Sequence, residues 1–189
     1  MPNYRKLNRK GYVRKSMLKG MTSTLLVEGS IVTTVARAKE IQQIAEKLIH
    51  RAILEKDNFT TREIKVSAAK LDDKGRKVLQ SKDSKRGTKY DVVERVTTTK
   101  TVQVDDPSRL AARRLAMRKL VNVSDEYGQK HNTVNYLFDT LAPHITKSAG
   151  GYTSIIKLGP RRGDGSEMAL LRIDEHEALQ ETTEDEKKD

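Results

Sequence analysis

The sequence has no cysteine and no tryptophan, and only two Phe and six Tyr among 189 residues. Without thiols there are no disulfides, no thiolate zinc sites and no cysteine nucleophile, which suits a reducing cytosol. Long apolar runs are missing as well. The longest uncharged stretch is nine residues, Ser148 to Ile156, too short for a membrane span. The N-terminus is basic but no apolar segment follows it, so no secretory leader is expected. Core-forming residues are scarce. With Gly counted and Tyr omitted, roughly 38 % of residues are apolar, against ~45–50 % in ordinary domains. A modest core is within reach, but several segments must owe their order to something other than self-packing.

What the chain has in excess is positive charge: 37 Lys and Arg against 26 Asp and Glu, net +11. The excess is uneven. Met1 to Val27 carries Arg5, Lys6, Arg9, Lys10, Arg14, Lys15 and Lys19 with no acid at all. Glu28 to Lys56 is nearly balanced at +1, Asp57 to Asp105 stands at +4, and Asp106 to Ile173 at +5. The tail from Asp174 onward is acidic at −6 and is expected to be disordered. The body before it therefore holds +17, a self-repelling charge that a polyanion would neutralise. Nucleic acid is the leading partner class. An anionic membrane is not expected, because no amphipathic stretch joins basic residues to exposed aromatics.

The aromatic shortage narrows the kind of nucleic acid. Eight rings cannot supply both a core and a base-stacking platform, so splayed single strands are disfavoured. Backbone and shape readout of folded, double-helical RNA, or of DNA, is favoured.

Periodicity gives a coarse order of elements. Residues 1–11 read as a basic arm. A helix is predicted from Tyr12, with Val13, Met17, Met21 and Leu25 as its stripe and Gly29 as its stop. Ser30–Thr34 is β-branched and reads as a strand. Thr34 can cap a second helix, whose Ile41, Ile44, Ala45, Leu48, Ile49 and Ala52 form an unbroken amphipathic stripe. Residues 57–105, charged and rich in Thr and Val, read as a β-prone insertion that pairs on itself or rides on a partner. Asp106-Pro107 opens a helix to about Val121, and Asn132 caps another that should stop before Pro143. Thr153–Leu158 and Met168–Ile173 read as strands joined by the loop Gly159-Pro160-Arg161-Arg162-Gly163-Asp164-Gly165. The expected fold is α+β: a two-layer sandwich of helices on a small mixed sheet, formed by residues 12–56 and 106–173, with the β-prone insertion between them.

Catalytic signals are thin. His50, His131, His144 and His176 are scattered without ligand spacing, and Asp72-Asp73 and Asp105-Asp106 sit at turn or cap positions. The Gly159–Gly165 loop is not a Walker-type phosphate loop, since no Lys-Ser/Thr follows its last Gly. No catalytic residue, metal, cofactor or small-molecule substrate is expected. Binding is carried instead by mobile Arg and Lys that can meet a phosphate backbone, with Arg able to clamp one phosphate by two hydrogen bonds. From charge alone a DNA-compacting protein fits equally well. An RNA-processing enzyme using Asp72, Asp73, Asp105, Asp106 and a histidine is the enzymatic alternative.

Particular strings go further than composition. Tyr4-Arg5-Lys6-Leu7-Asn8-Arg9, Arg14-Lys15-Ser16-Met17-Leu18, Arg37-Ala38-Lys39-Glu40, Gly150-Gly151-Tyr152-Thr153 and Lys157-Leu158-Gly159-Pro160-Arg161-Arg162-Gly163-Asp164-Gly165 occur in one order. Together they resemble the bacterial large-subunit ribosomal protein seventeen family, over Pro2 to about Lys56 and about Arg109 to Ile173. The resemblance implies a cytoplasmic, RNA-binding structural component of the large ribosomal subunit near the nascent-chain tunnel exit. Its partners would be large-subunit ribosomal RNA and neighbouring ribosomal proteins. The implied RNA-binding residues are Arg5, Lys6, Arg9, Lys10, Arg14, Lys15, Lys19, Arg113, Arg114, Arg118, Lys157, Arg161 and Arg162. Residues 57–105 have no counterpart in the short family members, and the acidic tail extends past the usual end.

Overall fold

The computed structural model describes residues 4–124, 130–147 and 149–176. The acidic stretch from residue 177 onward, expected to be disordered, lies outside the described residues. The chain forms two compact units, the first taking residues up to Asn58 and from Asp106 on, the second running from Phe59 to Asp105.

The first unit is built on α1 (Gly11–Glu28), β1 (Ser30–Thr34) and α2 (Val35–Leu54), continuing after the second unit with α3 (Pro107–Met117) and a short pairing of β6 (Val123–Ser124) with β7 (Lys130–His131). Next come α4 (Thr133–Asn135), a π-helical turn (Tyr136–Leu141) and α5 (Ala142–His144), then β8 (Thr153–Pro160) and β9 (Glu167–Ile173). The architecture is α+β as expected. The sheet has the order β1-β9-β8 and every pairing in it is antiparallel. A mixed sheet was expected. The short loop between β8 and β9 makes them a hairpin, which is antiparallel by necessity. β1 then starts beside the end of β9, where the Ile173 N–H donates to Gly29 O at 2.8 Å, and runs against it.

The buried face of the sheet is supplied by Ala169, Leu171 and Ile173 of β9, Thr33 of β1 and Thr153 of β8. Against it pack Ile41, Ala45, Leu48, Ile49 and Ala52 of α2, the stripe read from the sequence, with Ile44 only partly buried. Each large aliphatic side chain of this kind contributes about 1.5–3 kcal/mol by leaving water. Thr34 stands at the N-cap of α2, but its hydroxyl makes no capping hydrogen bond.

In α1 the expected stripe is displaced by one position. Leu18, Thr22, Leu25 and Leu26 face the core, while Met17 and Met21 lie at its margin. Thr22 can sit fully buried because its hydroxyl donates to Leu18 O at 2.7 Å, leaving no polar atom unmatched. Helix α3 ends at Met117, short of Val121. Both Lys119 and Leu120 donate their N–H to Ala116 O, tightening the chain into a turn that buries Leu120. Asn132 does cap its helix, accepting from Val134 N and Asn135 N at 3.2 and 3.3 Å. That helix passes through Pro143 instead of stopping before it. The π turn carries the Ala142 N–H back to Leu137 O, and Pro143 enters in the first turn of α5, where its missing N–H leaves no gap.

Gly29 ends α1 in the left-handed region at φ 81°, with its N–H on Leu25 O. A Cβ placed there would sit on the imidazole of His176. That ring is buried, its Nε2 lies 3.1 Å from the Tyr136 hydroxyl, and desolvation holds its pKa below the ordinary histidine value. Gly29→Ala is therefore expected to cost at least about 1–2 kcal/mol from the left-handed backbone alone. Urea unfolding checks this: a loss no larger than that would show that His176 moves aside freely, and an unchanged midpoint would contradict the backbone cost itself.

The second unit contains a long ribbon, β2 (Phe59–Ala69) against β5 (Arg95–Asp105), paired from Phe59↔Asp105 to Ala69↔Arg95. A smaller hairpin joins β3 (Leu79–Asp83) to β4 (Lys89–Val93). No residue of this unit is buried.

Candidate nucleic-acid interface

The basic arm is held to the body of the first unit by one carboxylate. Glu40 lies on α2 with its side chain only 6 % exposed. Its Oε1 accepts the Arg5 N–H at 3.0 Å, and its Oε2 accepts from Arg14 Nη2 at 2.6 Å. Arg14 Nε in turn donates to Arg5 O at 2.7 Å, and the Tyr4 ring packs on the Arg14 guanidinium with Cζ 4.4 Å from its centroid. Leu7 rests against the hydrophobic core. Leu7 and Asn8 both take left-handed backbone conformations, φ 55° and 50°, and the Arg9 N–H closes the turn on Lys6 O. The result is a fixed loop that points Lys6, Arg9 and Lys10 outward. Lys15 on α1 is exposed as well, and Lys19 is half-buried.

A second group lies on α3 and at its C-terminal end. Arg114 and Arg118 are exposed. Arg113 is not displayed in the same way: it reaches Asp139 at 3.0 Å and Asn135 at 2.6 Å, and lies over Phe138. Beside it Arg109, buried, donates to Asp139 at 2.6 Å and to Lys56 O at 2.5 Å. Arg109 was not singled out from the sequence. Its signal was present in the spacing, since Arg109, Ala112, Arg113 and Ala116 form one i, i+3, i+4, i+7 stripe, which is a packed face.

The third group is the β8–β9 loop. Arg161 grips Asp164 with two parallel bonds, Nε to Oδ1 at 2.8 Å and Nη2 to Oδ2 at 2.7 Å. The Ser166 hydroxyl and N–H also donate to the same carboxylate. These bonds, Arg161 foremost, hold the Asp164 carboxyl far below the usual carboxylate range. Arg162 and Lys157 remain exposed. Gly163 and Gly165, at φ 102° and 62°, supply the backbone conformations the tight loop requires.

The expected binding residues thus divide by geometry. Arg5, Arg14, Arg113 and Arg161 are each engaged by a carboxylate, Lys19 is half-buried, and Lys6, Arg9, Lys10, Lys15, Arg114, Arg118, Lys157 and Arg162 stand outward. Among the described residues no group of three or more His, Asp and Glu side chains could hold a metal ion, and no helix is long and apolar enough to cross a membrane.

The profile of the family described as Ribosomal protein L17 matches residues 17–173. The chain belongs to this family. It is therefore a ribosomal protein, a structural component and not an enzyme, with its place in the cytoplasm, in the ribosome. Its relatives include several named large ribosomal subunit protein bL17. That of Acetivibrio thermocellus is 49 % identical over 173 residues, 92 % of this chain and 99 % of that protein. That of Ruminiclostridium cellulolyticum is 52 % identical with the same coverage, and that of Lachnospira eligens 41 % identical over 182 residues. An alignment of 173 residues is too long to leave out the 47 from Phe59 to Asp105, so the second unit has counterparts in such relatives.

Proposed function

We propose that this L17 protein is a structural constituent of the large ribosomal subunit that binds and stabilises folded large-subunit ribosomal RNA through phosphate contacts. The observation that carries it is the arm. Seven cations and no acid occupy the first 27 residues, and Glu40 fixes the backbone so that Lys6, Arg9 and Lys10 project from a preformed loop. A preformed cationic loop loses less conformational entropy on meeting a phosphate strand than a free tail does. Arg114, Arg118, Lys157 and Arg162 add further phosphate donors, and neighbouring ribosomal proteins complete the surroundings. The site lies near the outlet of the nascent-chain tunnel, a location that rests on the family resemblance.

Sedimentation of cell lysate tests the proposal. The protein should travel with the large subunit, and recovery with nucleoid DNA would favour the chromosome-binding alternative. In the β8–β9 loop, Arg162→Glu should weaken association with ribosomal RNA by roughly tenfold, the worth of one charge-assisted contact of about 1.5 kcal/mol, with helicity unchanged. Equal affinity of this variant and the wild type would show that the loop is only a connector.

A further inference from the structure

The second unit poses a physical problem that its own packing does not solve. It has eleven ribbon pairs and a second hairpin, yet no buried residue, and two-stranded β structure is marginal in water. A partner that supplies the missing stabilisation must tolerate its charge. Phe59–Asp105 carries twelve Lys and Arg against seven Asp and Glu.

The charge is sorted most cleanly at the β3–β4 hairpin. Lys82 lies directly across from Tyr90, so the two side chains share one face with Gln80, Ser84, Thr88 and Val92. These six residues include no acid, and Glu94, the next position on this face beyond Val92, is paired with Lys70. The acids of the hairpin point to the other side, where Asp91 accepts the Ser81 hydroxyl at 2.6 Å and Asp83 stands across from Lys89. The turn is closed by Ser84 N–H on Thr88 O and Gly87 N–H on Ser84 O, both 2.9 Å, with Gly87 at φ 78°. Lys85 and Arg86 therefore occupy its apex. Lys82, Lys85 and Arg86 are exposed, and none is in an ion pair among the described residues. Tyr90 is half exposed beside them. Near the other turn of this unit, by contrast, Lys70 is paired with Glu94 at 3.1 Å, and Asp72 and Asp73 directly precede Lys74.

We propose that the acid-free face and apex of the β3–β4 hairpin form a second RNA-binding site, in which Lys82, Lys85 and Arg86 contact phosphates of a folded RNA helix and Tyr90 packs its ring on an adjoining ribose or base. The proposal rests on the ribosomal RNA role given above. Three cations grouped at and beside the turn of a two-stranded hairpin suit a polyphosphate backbone, whereas a protein surface would have to provide three closely spaced acids. The single aromatic ring gives an apolar contact without demanding a sequence, which fits shape readout.

The test uses the full-length protein and purified large-subunit ribosomal RNA. Wild type is compared with the triple variant Lys82→Gln, Lys85→Gln, Arg86→Gln and with an arm variant, Lys6→Gln, Arg9→Gln, Lys10→Gln. Loss of three phosphate contacts should flatten the slope of log affinity against log salt by about 2–3. Hydroxyl-radical footprinting should show one RNA locus lose protection in the triple variant while the arm-dependent loci keep theirs, and the reverse in the arm variant. A triple variant with the wild-type slope and footprint overturns the second site, and if the same variant in assembled large subunits loses crosslinks to a ribosomal protein, the hairpin's partner is that protein. Absence of any protection by the wild-type protein would overturn the RNA-binding role itself, and the second site with it.

Discussion

Glu40→Ala is expected to destabilise the protein by about 3–5 kcal/mol, measured as a lowered urea midpoint at neutral pH. The size follows from what the substitution leaves behind. The Arg14 side chain is only 14 % exposed, and its guanidinium would lose the carboxylate 2.6 Å away while remaining largely out of water. The Arg5 N–H would lose its acceptor at the same time. Against a total stability of ~5–15 kcal/mol for a typical domain, this is a large fraction. The arm should loosen with it, because Arg5, Arg14 and Tyr4 form one unit around Glu40. Tryptic cleavage after Arg5 and Lys6 should accelerate accordingly. Glu40→Gln keeps an acceptor for the Arg5 N–H and should be milder than alanine. Unchanged stability together with unchanged arm cleavage would mean that the carboxylate does not organise the arm.

The same residue illustrates what a linear reading can and cannot supply. Helix α2 was fully legible, since its stripe is regular and every member of it is aliphatic or Ala. Glu40 was not. On a helical wheel it resembles any solvated acid, and only the fold brings Arg5 and Arg14, 35 and 26 positions away, onto its two oxygens. The arm was recognised by charge, but its fixed turn at Leu7 and Asn8 has no glycine to announce it. Helix α1 was placed correctly and faced wrongly by one residue, because a buried Thr22 satisfied by Leu18 O looks polar in sequence and behaves as core. Local bonds also decide the fate of the arginines. Arg161 next to Arg162 reads as a matched pair, yet Asp164 three residues on engages the first and leaves the second outward.

That division refines the charge argument. A basic protein does not present all of its cations to its partner. Here Arg14, Arg109, Arg113 and Arg161 spend their hydrogen bonds on Glu40, Asp139 and Asp164, and in doing so fix the arm, the α3 face and the β8–β9 loop. Lys6, Arg9, Lys10, Arg114, Arg118, Lys157 and Arg162 stand outward beside these supports. Lysine suits the outward role, since an ammonium needs only proximity to a phosphate, whereas the planar guanidinium is better used where its geometry is matched.

If the outward cations exist to neutralise an RNA backbone, affinity must depend steeply on salt. Lys6, Arg9, Lys10, Lys15, Arg114, Arg118, Lys157 and Arg162 are the candidates for such contacts in the first unit. With about six to ten phosphates engaged, counterion release alone should reduce affinity for large-subunit ribosomal RNA by roughly 10³–10⁵-fold between 50 and 200 mM salt, taking duplex DNA as the guide. No rearrangement of the protein is required, because Glu40 and Asp164 already hold the arm and loop in place. The direct measurement is a salt titration of binding between the purified protein and that RNA. A linear fall of this steepness in log affinity is the predicted result, and a complex whose affinity stays constant across the range would contradict the phosphate-contact account.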